Sequence, residues 1–212
     1  MTRALLTLVL LIALTVPTAD AQTCTGAASF RDRPMQVAGA VASVNRATDI
    51  GGTFLASRRG LFGGGGVAMS DPEFGSTMTN VTAVIGVEFA NPDHPAFFCP
   101  IGQVRFGNGP DFGSVDGSLL ATQGGVSVGL RVWEARNAAV IPTFSVLAVY
   151  ERYTAEMNGV QSSASIGSGL LTVGVGFVFD ERFAVVPAVH VPFSRGFSSA
   201  GFAWRASWNF GG

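Results

Sequence analysis

The chain has 212 residues, of which 48% are apolar and only 13% charged, and its net charge is −1. Soluble domains carry roughly 25% charged residues, and a chain without Lys and without net positive charge offers no basic surface for nucleic acid. Beyond the N-terminal run no segment reaches the roughly 20 apolar residues of a spanning helix. Period-two patterning in a chain too apolar for water therefore points to a closed, all-β membrane barrel.

The first element is an export signal over 1–21. Arg3 is basic, Ala4 to Val16 form an apolar core too short to span a bilayer, Pro17 breaks it, and Ala19-Asp20-Ala21 supplies small residues for cleavage before Gln22. Cys24 follows Ala21-Gln22-Thr23, which lacks the lead-in of a lipoprotein cysteine. Residues 22–34 form a short N-terminal segment, expected in the periplasm. A single domain, 35–212, follows without a linker.

Alternating segments separated by turn residues predict strands over 35–44, 49–58, 61–70, 80–90, 97–106, 120–135, 138–152, 164–180, 182–193 and 200–210. Ten is an even number, as single-chain bacterial barrels have, with eight strands as the alternative. Connections at 58–60, 91–94, 134–137 and 179–182 are short and charged, whereas 71–79, 107–119 and 153–163 read as longer loops rich in Gly, Ser, Asn and Asp. Short turns on the periplasmic side and long loops outside set an orientation with the N-terminus in the periplasm. Neither long loop 71–79 nor 107–119 has the spacing of a calcium loop.

That topology brings Cys24 and Cys99 to one mouth in an oxidising compartment, predicting a disulfide between them. Two cysteines with no His nearby lack the four ligands of a zinc site, so no metal is expected. Nor is a cofactor, because Gly63 to Gly66 lacks the Lys-Ser/Thr of a phosphate loop.

The strand faces sort cleanly. Val81, Ile85 and Phe89, Val126, Val128 and Leu130, and Val173, Val175 and Phe177 fall on outward faces. Thr82, Gln103, Gln123, Ser127, Thr143, Ser145, Ser207 and Asn209 fall on inward ones. The inward set includes Glu88, Arg105, Arg131, Glu151, His190 and Arg205. Unpaired charge in a narrow interior is costly, so these six are expected to form a mutually paired network that fills the lumen. Inward glycines such as Gly86, Gly174 and Gly176 leave room for tight curvature or for long arginines.

The last strand, Gly201 to Phe210, places Phe202, Trp204, Trp208 and Phe210 on one side and Arg205, Ser207 and Asn209 on the other. With the export signal and the Gly-rich amphipathic strands, this closing strand resembles the small outer-membrane β-barrel proteins of Gram-negative bacteria, the broad group containing outer-membrane protein A-type domains. The resemblance implies a closed antiparallel up-and-down barrel in the outer membrane, in contact with its lipid and inserted by the barrel-assembly machinery through the aromatic terminal strand. Gly211-Gly212 after the last aromatic departs from the group's usual ending. Because function does not travel with such a fold, the expectation is a structural or weakly permeable, porin-like barrel whose extracellular ligand is unknown.

Two other readings stand beside it. A secreted soluble barrel would bind lipid inside, but its outer faces would need charges that this chain lacks. An outer-membrane lipid-modifying enzyme would need a nucleophile near its base, and His190 and Ser194, four apart on one strand, are separated by roughly 13 Å. An enzyme is therefore not expected.

Overall fold

Branched and aromatic side chains alternating with small or polar ones fit a pleated wall between two different solvents, and the chain uses that pattern along its whole length. A computed structural model describes residues 25–27, 33–44, 47–71, 77–90, 95–108, 116–157, 159–193 and 200–211. Ten strands run in sequence: β1 (Met35–Val44), β2 (Ala47–Arg58), β3 (Leu61–Asp71), β4 (Met78–Val87, resuming at Phe89–Ala90), β5 (Ala96–Asn108), β6 (Asp116–Leu130, resuming at Trp133–Ala135), β7 (Ala138–Met157), β8 (Val160–Phe179), β9 (Phe183–Phe193) and β10 (Gly201–Phe210). Each pairs antiparallel with the next, and β1 pairs with β10 from Met35↔Phe210 to Ser43↔Phe202, so the sheet closes on itself. The eight-strand alternative falls away.

The mouth at Met35 and Phe210, here the near mouth, is edged by tight turns. Arg59 and Gly60 both have positive φ (53° and 80°), as do Asp180 and Glu181 (50° and 51°). Turns of that hand match the twist of the flanking strands. The expected short connections at 58–60, 134–137 and 179–182 thus fall at one end of the barrel; 91–94 lies outside the described residues.

The far mouth differs from expectation in one place. Residues 153–163 do not form a long loop: β7 and β8 are 20 residues each, and they pair up to Met157↔Val160 around Gly159. The Ser- and Ala-rich stretch has too few apolar residues to alternate visibly, yet its backbone ladder continues. Among the described residues β8 meets β9 only from Gly169 onward, so Val160–Ser168 has a strand on one side alone.

The outer wall is apolar. Val67, Val81, Ile85, Val173, Phe202, Trp204 and Trp208 are all exposed, with Val67 at 60% and Phe202 at 65%. Around the near mouth Phe183 stacks with Phe179 and packs against Trp208, at 6.4 Å between ring centroids in both cases. Phe54 with Phe210 and Phe89 with Phe98 add pairs at 6.2 Å. An apolar band with an aromatic girdle is the surface a bilayer requires. It is the reverse of a soluble barrel, whose apolar faces would point inward.

Candidate functional site in the lumen

The inner wall is small and polar where the strands approach the near mouth. Gln36 and Asn209, register partners across the β1–β10 seam, are 1% exposed, and the Gln36 amide donates to Asn209 Oδ1 at 2.7 Å. Ser127 and Ser145, partners across β6–β7, are joined at 2.6 Å. Two apolar clusters fill the space between, Leu55 with Phe62, Phe97 and Cys99, and Ile141 with Val178 and Ala184.

The N-terminal segment also enters this half. Ala27 is fully buried, and Arg205 of β10 donates through one guanidinium nitrogen to the backbone oxygen of Thr25 and to Thr25 Oγ1, the latter at 3.0 Å. Gly26, with φ of 76°, lies directly on Gly176 of β8, where any side chain would strike the Gly26 backbone. Arg33 reaches the Glu181 carbonyl at 3.5 Å, and the Pro34 carbonyl accepts from Ser57 N at 2.8 Å. The pocket beside Ala27 measures about 40 Å³. The expected periplasmic segment 22–34 is therefore, at 25–27, part of the lumen filling. Gly176 makes room for that backbone, and Gly86 for the Phe62 ring, rather than for arginines.

Toward the far mouth the lumen opens into a cavity of about 300 Å³. Asp49 of β2, Arg105 of β5, Glu151 of β7 and His190 of β9 line it, together with Gln103, Gln123, Ile166, Leu170 and Pro192. Arg105 donates to Glu151 Oε1 at 3.4 Å, and the Tyr153 hydroxyl to Glu151 Oε2 at 3.1 Å. His190 Nδ1 lies 2.7 Å from Thr172 Oγ1.

The six inward ionisable residues thus occupy separate surroundings. Arg105 and Glu151 form the expected pair. Arg131 sits at the near-mouth rim, paired with Glu134 at 3.3 Å and lying 5.6 Å over the Phe97 ring. Arg205 holds Thr25, and His190 holds Thr172. Glu88 is fully buried where β4 is interrupted; its backbone N donates to the Gly60 carbonyl at 2.9 Å, and its Oε2 lies 3.8 Å from Cys99 Sγ. Cys99 is fully buried, and none of the described cysteines is free; Cys24 and the export signal lie outside the described residues, as does Ser194.

Thr25, Gly26, Asp49, Tyr153 and Thr172 were not singled out from the sequence. Their signal was lateral: Thr172↔His190 and Gln36↔Asn209 are register partners on neighbouring strands, and Arg105 and Glu151 both pair with Ala121 from opposite sides.

No protein-family model matches the chain, and no curated protein is significantly similar to it. Solved structures similar to it include Ail, the attachment invasion locus protein of Yersinia pestis, at 10% identity and a TM-score of 0.40, covering 83% of this chain and 95% of that one. Neisserial surface protein A is another, at 10% identity and a TM-score of 0.38, covering 83% and 94%.

Proposed function

We propose that the chain is an integral outer-membrane β-barrel with a structural role and a lumen closed to steady solute flow. The observation that carries this reading is the filling of the near-mouth half. Thr25–Ala27 sit inside the wall on Gly176 and Arg205, above a layer of paired buried amides and hydroxyls. Ten strands are close to the size at which side chains alone fill a barrel, and solute channels use about sixteen or more. The apolar outer wall and its aromatic girdle support a partnership with outer-membrane lipid. The aromatic β10 suits recognition by the barrel-assembly machinery, and the N-terminal 21 residues suit export. A weakly permeable pore is the second reading, favoured by the 300 Å³ cavity in the far half.

Planar-bilayer recording tests the choice. The full protein should show little or no steady conductance, and large, steady, anion-selective conductance would replace the closed barrel by the pore. Fractionation with outer membranes, with heat-modifiable mobility on gels, tests the location.

The same reading includes a Cys24–Cys99 disulfide that anchors the N-terminal segment. Cys99 is not a free thiol, and the chain has one other cysteine. Closing so long a loop stabilises by roughly 4 kcal/mol in the chain-entropy account. Peptide mapping of non-reduced protein should recover the linked pair; alkylation of both thiols in freshly isolated membranes would exclude it.

A further inference from the structure

We infer that the far-mouth cavity is a binding site for a small organic cation, an ammonium group on a compact and partly apolar body. The volume, about 300 Å³, lies at the lower end of ligand pockets, which run from roughly 300 to 1,000 Å³. Its chemistry is one-sided. Two carboxylates, Asp49 and Glu151, face a single guanidinium, Arg105. That guanidinium is already engaged by Glu151, whose second oxygen accepts from Tyr153. Asp49 has no ion-pair partner among the described residues and is only partly exposed. Among the described residues the lining therefore holds one carboxylate beyond its single guanidinium, with His190 engaged by Thr172, and low-dielectric walls strengthen that field for a cation entering from the mouth.

The remaining lining fixes the rest of the ligand. Gln103 and Gln123 offer amides that both donate and accept, and Ile166, Leu170 and Pro192 provide an apolar wall for a hydrocarbon body. An anion approaching Arg105 would meet the carboxylates of Glu151 and Asp49 lining the same cavity. A bound metal ion fits less well, because no cluster of three His, Cys, Asp or Glu side chains occurs among the described residues. The site would bind its ligand whether or not ions pass through the half below, so it is independent of the conductance reading.

Three probes of nearly one size test it on the unmodified full-length protein in detergent micelles: benzylamine, benzyl alcohol and benzoate, followed by calorimetry or amide chemical shifts. Benzylamine should bind saturably, and benzyl alcohol and benzoate at least ten-fold more weakly. Asp49→Asn should weaken benzylamine ten-fold or more, while Asp180→Asn in a near-mouth turn should leave it unchanged. Benzoate or benzyl alcohol binding as well as benzylamine, or no saturable binding of any of the three, would overturn the inference without recourse to a variant. Full benzylamine affinity in a folded Asp49→Asn protein would overturn it too.

Discussion

The two halves of this lumen are built from the same strands, yet the pocket beside Ala27 measures about 40 Å³ and the one toward the far mouth about 300 Å³. Near the first mouth paired amides and hydroxyls, two apolar clusters and the backbone of Thr25–Ala27 fill the interior, with Arg205 engaged by Thr25 and Glu88 fully buried. Near the second, Asp49, Arg105, Glu151 and His190 line a hollow, with Arg105 and Glu151 paired at 3.4 Å. Neutral hydroxyls and amides can pair across neighbouring strands and bring the interior to close packing. Charges retain a demand for water or for a polar partner, which Arg205 finds in Thr25 and Arg105 in Glu151.

The largest expected effect strikes both halves alike, from outside. Replacing the exposed Val173 by Arg puts a charge on the apolar wall, which is worth about 2 to 4 kcal/mol at mid-membrane. Urea titration in bilayers should show that loss, and unchanged resistance would mean that the facing of β8 is misread. Arg205→Ala attacks the filled half alone. It removes the guanidinium that donates to the Thr25 carbonyl and hydroxyl, a loss of roughly 1 to 3 kcal/mol, and it should open a leak measurable in planar bilayers. A silent, fully stable Arg205→Ala barrel would detach the N-terminal segment from the seal.

Arg105→Ala is the counterpart in the open half and the smallest change. The pair is about a quarter exposed on both sides (27% and 23%), so its removal should alter stability by less than about 1 kcal/mol and produce no leak. It frees a second carboxylate and should strengthen benzylamine binding. Weaker binding would mean that the guanidinium itself contacts the ligand.

The wall was legible in the sequence and the interior was not. Alternation alone located β1 over 35–44 and the outward set from Val81 to Trp208, because the side-chain period of a strand depends only on its own residues. Partner choice inside the barrel depends on the stagger between strands, which no single strand records. Arg131 meets Glu134 on its own hairpin, and Arg205 meets a carbonyl of residue 25, so six inward charges did not translate into one network. The extension of β7 and β8 through 153–163 escaped for a related reason: a ladder of backbone hydrogen bonds persists where the side chains on both faces are polar or small.

The seam between β1 and β10 differs in kind from every other pairing in the barrel. Every other pairing is a hairpin between consecutive strands, whereas Gln36 and Asn209 are 173 residues apart. Joining ends so distant carries a loop-closure entropy of about 4 to 5 kcal/mol, and a chain emerging N-terminus first has β1 long before it has β10. Without β10 beside it, β1 is an open edge with unpaired backbone groups. Pairing of this one seam therefore turns an open sheet with two free edges into a barrel with none.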